Sequence, residues 1–347
     1  MVNFESLNTL FPCIMDDLLF HFSYKQGEEK PGAATVAGLL SGLMKKYSLK
    51  NLDHSYDIDI VSLCDSLCEL GILNCLFRDN SMGLNNRYYW SGRVSPKATY
   101  FSQMSVDERQ PFVANIEDAV YGSVYIYKKY RPYIIPIIHK SDDGNEGIGT
   151  GFVVGNQYIL TARHCIEHAK SIAFGNIAFE NYSNAKVYYH KNPYIDIAII
   201  PIPPLKGVGL YLSDSYTIFD HVMTMGYPQI PGYTCFLTAE KAVISSIPEK
   251  RFVATEGQIV AEAQEIWSKE NLFLITAKIR GGNSGGPVIN RFGNCVGIVS
   301  GKPFSEGSAY DDLGYGTAIP AKFAIEMLEN LSDHHCVTNI NFAEYPQ

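Results

Sequence analysis

From Phe112 onward the chain is a succession of short apolar runs. SVYIYKKY, YIIPIIH, GTGFVVG, QYILTA, IDIAIIPI, HVMTMGY, LFLITAK and GNCVGIVS follow one another, punctuated by Gly, Pro and Asn. Runs of this length, rich in β-branched and aromatic residues and bounded by turn formers, read as strands. So many strands over residues 112–331 leave an all-β barrel or sandwich as the architecture. The 23 Tyr and 18 Phe fit that reading, because aromatic side chains suit a pleated, half-buried surface. One helix, AKFAIEMLENL, closes the region with Phe323, Met327 and Leu331 at spacings of four. Residues 332–347 are too few for a further domain and read as a solvated tail.

Residues 1–108 have a different texture. Apolar positions three and four apart predict helices over 5–22, 33–47 and 58–71, with Gly71 as a stop signal. ILNCLFRD and NNRYYWSG then read as a hairpin about Asn80–Asn86. Three helices followed by a two-stranded wing resemble a winged-helix domain in element order. A nucleic-acid partner needs a basic face, because phosphate neutralisation supplies most of the affinity. Residues 1–110 instead carry a net charge of −3 within the total of −8. Arg78, Arg87 and Arg93 read as solvated charges, so a regulatory or interaction module with a protein partner is the expectation, and DNA binding is not.

With 46% hydrophobic and 18% charged residues in 347, the chain suits one large or two medium folded domains. It has no apolar stretch of membrane-spanning length, so no membrane partner is expected. The start, MVNFESLNTLF, lacks a basic region and an apolar run of the secretory kind. Eight cysteines occur with no C-x-x-C pair, and Cys64 and Cys68 lie on an apolar helix face as core residues. A reduced, cytoplasmic setting with neither metal nor cofactor is therefore expected.

Three segments carry chemistry, and their joint order matters more than any one of them. QYILTARHC places His164 directly after a strand, YIDIAIIPI places Asp196 at the head of a buried strand, and IRGGNSGGPV places Ser284 in a glycine-rich turn. A serine hydroxyl is a poor nucleophile until an imidazole takes its proton, and a carboxylate holds that imidazole in the required tautomer. The turn aims the N–H groups of Gly282 and Ser284 at one point, as an oxyanion hole requires. Asp196 alone would be an ordinary strand-edge acid, and His164 alone a satisfied core histidine. Four glycines around Asn283 and Ser284 have little purely structural reason to exist.

GTGFVV, YILTARHC, IDIAII, MGYP, GGNSGGPV and GYGTAIP with its terminal helix together resemble the trypsin-like peptidases, in the HtrA-like branch. The resemblance implies an α+β chain whose residues 112–331 form a chymotrypsin-like pair of six-stranded β-barrels, with the triad in the cleft between them. It further implies that Ser300 lies beside the Asp196 carboxylate. Ser300, Gly301 and Lys302 would form the edge along which a protein substrate pairs. Lys278, six residues before the serine, would fall at the base of the primary specificity pocket, and Gly316 is expected among the substrate-binding residues. Lys278 there would favour acidic side chains, unless it points outward as a solvated charge. The segment KPFSEGSAYDDLG, 302–314, is expected to form one wall of that pocket.

Departures from the secreted trypsins are informative. Cys165 follows the histidine, but Gly149–Val154 holds no cysteine to pair with it. Asn283 stands where zymogens use a carboxylate to trap a new ammonium terminus, so activation by clipping is not expected. Regulation by loop ordering or by the N-terminal module is the natural substitute. A PDZ domain of the kind common among HtrA proteins is not expected. Gly282-x-Ser284-x-Gly286 also fits the nucleophile elbow of α/β-hydrolases, with Asp311 or Asp333 and His334 or His335 as partners. An elbow demands a helix directly after the serine, and PVINRFGNCVGIVS reads as strands. The remaining alternative is a protease-shaped binding or DNA-associated regulatory protein without catalysis.

Overall fold

The computed structural model describes residues 4–23, 33–79, 81–91, 101, 103–141, 146–228, 252–264, 270–301, 314–338 and 340–345. The chain divides into two compact units, Met1–Gly122 and Ser123–Gln347.

In the first unit the segment expected as one helix over 5–22 is two, α1 (Phe4–Leu10) and α2 (Ile14–Phe22). Pro12 lies between them, and a proline has no N–H to continue the hydrogen-bond ladder. A two-residue strand β1 (Ala34–Thr35) leads into α3 (Val36–Lys46), where the Thr35 hydroxyl accepts from the Gly38 N–H. Helix α4 (His54–Glu69) starts four residues before the expected position, because Asp53 caps it by accepting from the Ser55 N–H. The hairpin forms as β2 (Leu73–Phe77) and β3 (Arg87–Trp90), with β1 added beyond β3. Leu7, Phe11, Leu18, Phe22, Leu63, Tyr88 and Trp90 are fully buried and hold the helices to this sheet.

The unit boundary lies later than the expected change near residue 112. Helix α5 (Val106–Tyr130) runs through it, broken at Gly122, where φ is 74° and ψ −167°. SVYIYKKY, expected as a strand, forms the second half of this helix. Ile126 and Tyr130, four apart, turn to one face and are buried there, so helical spacing overrides β-propensity.

The second unit contains two seven-stranded sheets. One runs β4 (Ile134–Lys140), β5 (Glu146–Val154), β6 (Tyr158–Thr161), β7 (Ser171–Phe174), β8 (Val187–Tyr189) and β9 (Ala198–Pro201), in the spatial order β8-β9-β6-β5-β4-β7, with a seventh strand from the C-terminal segment beyond β8. The other comprises β10 (Tyr211–Leu212), β11 (His221–Gly226), β12 (Val253–Gln264), β13 (Asn271–Ile275), β14 (Pro287–Asn290), β15 (Asn294–Gly301) and β16 (Gly316–Pro320). Its order β15-β14-β11-β12-β13-β16 closes through pairing of β15 with β16, with Ile298 opposite Ile319. This is a closed six-stranded barrel, with β10 attached outside. The closed barrel and the other sheet, an open half-barrel in its strand pairing, match the expected chymotrypsin-like double barrel. The final helix is α6 (Lys322–Glu329).

Among the described residues of the second unit, buried apolar side chains fall into three clusters. Ile137, Val153, Ile159, Phe174, Val187 and Ile200 fill the first barrel, and Val222, Ile259, Phe273, Val288, Val296 and Ala318 fill the second. Between them lies a third cluster including Phe152, Leu160, Ile197, Ile199, Met223, Met225, Ile289 and Ile298. Strands such as β9 face apolar surroundings on both sides, which is why IDIAIIPI reads as a continuous run rather than an alternation.

The C-terminal residues are not a solvated tail. Strand β17 (His335–Val337) pairs antiparallel with β8, setting His335 opposite Tyr189. The Ile172 N–H of β7 donates to the Asn341 carbonyl (3.0 Å), and the Ala343 N–H donates back to the Ile172 carbonyl (2.8 Å). Phe342 is buried against Phe174 and Tyr182. His334 is buried too, its Nδ1 accepting from the Lys191 N–H, whereas His335 is exposed.

Candidate active site

The first barrel supplies an imidazole and a carboxylate. Directly after β6 the chain makes a single 3-10 turn, Arg163–Cys165, which places His164 at the barrel rim. Asp196 lies two residues before β9, the neighbour of β6. Adjacent strands thus present the two groups at one end of one sheet. Asp196 Oδ1 accepts from the His164 backbone N–H (2.9 Å), and Oδ2 accepts from His164 Nδ1 (2.6 Å). This fixes both the ring orientation and the tautomer, leaving Nε2 as the basic atom. Burial lowers the imidazole's proton affinity, but hydrogen bonds to Asp196 and Cys165 outweigh it and hold His164 above the ordinary histidine range.

The second barrel supplies the hydroxyl and the turn around it. Ser284 is half-buried in the loop that enters β14. The Asn283 N–H donates to the Arg280 carbonyl (3.0 Å) and Gly282 has φ 94°, the geometry of a type II turn, which calls for glycine at its third position. Two residues on, Gly285 has φ 83°. A Cβ there would fall 2.2 Å from the Thr150 carbonyl oxygen and 2.2 Å from Thr161 Oγ1. Among the described residues, the Gly282 and Ser284 N–H groups donate to no protein acceptor, which leaves them available to a bound oxyanion.

Ser300 joins the two halves. Its hydroxyl donates to Asp196 Oδ2 (2.9 Å), and its carbonyl accepts from the Ser284 hydroxyl (3.3 Å). The Ser284 carbonyl in turn accepts from the Cys165 thiol (3.4 Å) and from the Thr150 N–H (2.9 Å). His164, Asp196 and Ser284, far apart in the chain, are thereby brought together at the seam of the barrels. In this conformation the Ser284 hydroxyl is turned to Ser300 rather than to His164.

The expected specificity residues are placed less evenly. Gly301 and Ser300 end β15, and the Gly301 carbonyl accepts from the Thr317 hydroxyl (2.8 Å). Gly316 begins β16, where a Cβ would meet Ile279 Cδ1 at 2.5 Å. Lys278 is exposed, and its carbonyl accepts from the Thr255 hydroxyl. Lys302 and the rest of the 302–313 insertion lie outside the described residues. The residue following the serine turn enters strand β14, not a helix, so the hydrolase elbow is ruled out. Thr150 and Thr161 were not singled out from sequence, although GTGFVV and YILTA contain them. A threonine in a strand gives no signal of its own until its partners across the chain are known.

Several known proteins are similar to part of this chain. Among solved structures, the chain is similar to the active form of the Rv3671c protease from M. tuberculosis, at 22% identity and a TM-score of 0.44. That match covers 59% of this chain and 82% of that one. It is also similar to the HtrA-type protease AlgW with tripeptide, at 22% identity and a TM-score of 0.45, covering 60% and 62% of the two chains. Among curated proteins, the magnetosome formation protease MamE of Magnetospirillum gryphiswaldense is 27% identical over 186 residues, 52% of this chain and 22% of that protein. The probable periplasmic serine endoprotease DegP-like of Buchnera aphidicola is 27% identical over 191 residues, 53% of this chain and 36% of that protein. The chain thus spans well under half the length of these two relatives. Residues 149–298 match the trypsin-like peptidase domain family. Within the second unit, residues 149–298 are thus similar to trypsin-like peptidase domains, and the chain is similar to HtrA-type and DegP-like proteases.

Proposed function

We propose that the chain is a serine endopeptidase that cleaves protein substrates through an acyl-enzyme intermediate, with His164, Asp196 and Ser284 as its triad. The observation that carries the reading is the bond of His164 Nδ1 to an Asp196 carboxylate that also receives the Ser300 hydroxyl, beside the glycine turn of Ser284. In the first step the Ser284 hydroxyl leaves Ser300, gives its proton to His164 Nε2 and attacks the scissile carbonyl. The N–H groups of Gly282 and Ser284 receive the charge that develops on the carbonyl oxygen. Such a donor is worth about 2.7–4 kcal/mol of transition-state stabilisation. His164 then passes the proton to the leaving amine, and water repeats the sequence to release the acid. The strand ending at Ser300 and Gly301 would pair with substrate backbone.

The first unit is read as the regulatory or interaction module, facing a protein partner and acting on specific substrates, in the manner of a bacterial signalling or defence effector. Leu76, Phe77 and Met82, at the hairpin and its connection, are 64%, 52% and 47% exposed, an apolar tip better suited to protein than to phosphate. Incubating the purified chain with an unfolded protein and mapping the products by mass spectrometry tests the activity. Internal cleavage by wild type, absent in Ser284→Ala, is expected. Intact substrate with folded wild type, in the presence and absence of cell extract, would favour the non-catalytic alternative.

A further inference from the structure

The tripeptide Gly282–Ser284 has to hold two N–H groups and one hydroxyl in register, yet its own barrel secures only part of it. The rest of the hold comes from the other barrel, through both the side chain and the backbone of one residue, with the Cys165 thiol also on the Ser284 carbonyl. Thr150, in β5, is fully buried. Its hydroxyl donates to the Gly282 carbonyl (2.6 Å) and accepts from the Tyr227 N–H (3.0 Å). Its backbone N–H donates to the Ser284 carbonyl (2.9 Å). Its own carbonyl accepts from the buried Thr161 hydroxyl (2.7 Å). One residue therefore grips the carbonyls at both ends of the tripeptide, and a second braces it.

We infer that Thr150 is a positioning residue for catalysis: its hydroxyl, by holding the Gly282 carbonyl, keeps the oxyanion-binding turn in its open form. The physical reason is the pivot of a β-turn. Types I and II differ mainly in the orientation of the central peptide, here the one carrying the Gly282 N–H. Turning that peptide away requires rotation about the Gly282 backbone. An anchored carbonyl on the far side of Gly282 opposes that rotation. Backbone bonds alone do not supply this anchor, because the Gly282 carbonyl's partner is the Thr150 side chain. Thr150 touches neither substrate nor reacting atoms; it acts through the turn. Packing leaves no slack, since a Cβ at Gly226 would meet Thr150 Oγ1 at 2.9 Å and one at Gly285 the Thr150 carbonyl.

The inference rests on the serine-peptidase reading and is tested so that the two fail separately. The probe is a small fluorophosphonate, which needs the nucleophile and the oxyanion donors but no specificity pocket. Second-order labelling rates are measured for wild type, Thr150→Ser and Thr150→Val, with melting temperatures alongside. Thr150→Val keeps the shape and loses the hydroxyl, and a misplaced turn should slow it by about 100-fold. Thr150→Ser keeps the hydroxyl and loses the methyl, and should stay within about threefold of wild type. A packing role predicts the opposite order, with valine the better substitute. Folded Thr150→Val labelled as fast as wild type overturns the inference alone. Unlabelled wild type overturns it together with the peptidase reading. Should Thr150→Val not fold, Thr150→Cys takes its place, since a thiol is a weak donor; labelling at the wild-type rate again overturns the role.

Discussion

The two barrels of the peptidase unit are assembled from the same kinds of strand but completed differently. The second closes on itself, with β15 and β16 paired along four registered positions. The first does not: β7 and β8 are its free edges, and the C-terminal segment spans them, pairing β17 with β8 and residues 341–343 with Ile172. The difference matters because each barrel holds half of the site. The self-closed barrel carries Ser284 and its turn, which needs the positive φ that glycine adopts at 282 and 285. The barrel finished by the chain's last residues carries His164 and Asp196. The proposed general base should therefore depend directly on the C-terminal segment, whereas the proposed nucleophile should depend on it only through the Thr150 anchor in β5.

Substitutions in each half sharpen the comparison. Ser284→Ala, in the closed barrel, should abolish turnover by about 10⁶-fold while leaving the melting temperature near wild type, as read by peptide-product kinetics and thermal denaturation. Asp196→Asn, in the other barrel, should cost about 10⁴-fold by leaving the wrong tautomer at His164. The base works only when neutral, so activity rises with pH through the His164 pKa. Because that pKa is raised by Asp196, the acid limb of wild type should lie above 6.5, and in the variant it should move down. Phe342→Ala should remove about 3–5 kcal/mol from the core of the first barrel, measured by denaturant unfolding. Hydrogen exchange should then accelerate in β7 and β8 before β15 and β16. Equal acceleration in both barrels would break the proposed contrast between direct and indirect dependence.

The sequence revealed the residues whose chemistry is unusual and concealed those whose role is relational. Four glycines about Asn283 and Ser284, a histidine after an apolar run and an aspartate before another are conspicuous. The structure brings these groups to one seam. Strands were legible where turn formers bounded them. SVYIYKKY failed because its β-branched and aromatic residues also satisfy a helical face, with Ile126 and Tyr130 buried together. The tail was misread because β17 is only three residues long and earns its place by pairing with β8, which no local pattern announces. Thr150 was invisible for a related reason, since its partners Gly282 and Ser284 lie more than a hundred positions away; the hydroxyl bond to Gly282 spans 132. Lys278 was equally open to a pocket or a surface reading, and it is exposed.

The most direct test of the central claim is to locate a fluorophosphonate adduct by peptide mass spectrometry. One adduct on Ser284 is predicted, lost in Ser284→Ala and strongly slowed in Asp196→Asn. Folded wild type that acquires no adduct, or acquires it on another residue, would contradict the assignment.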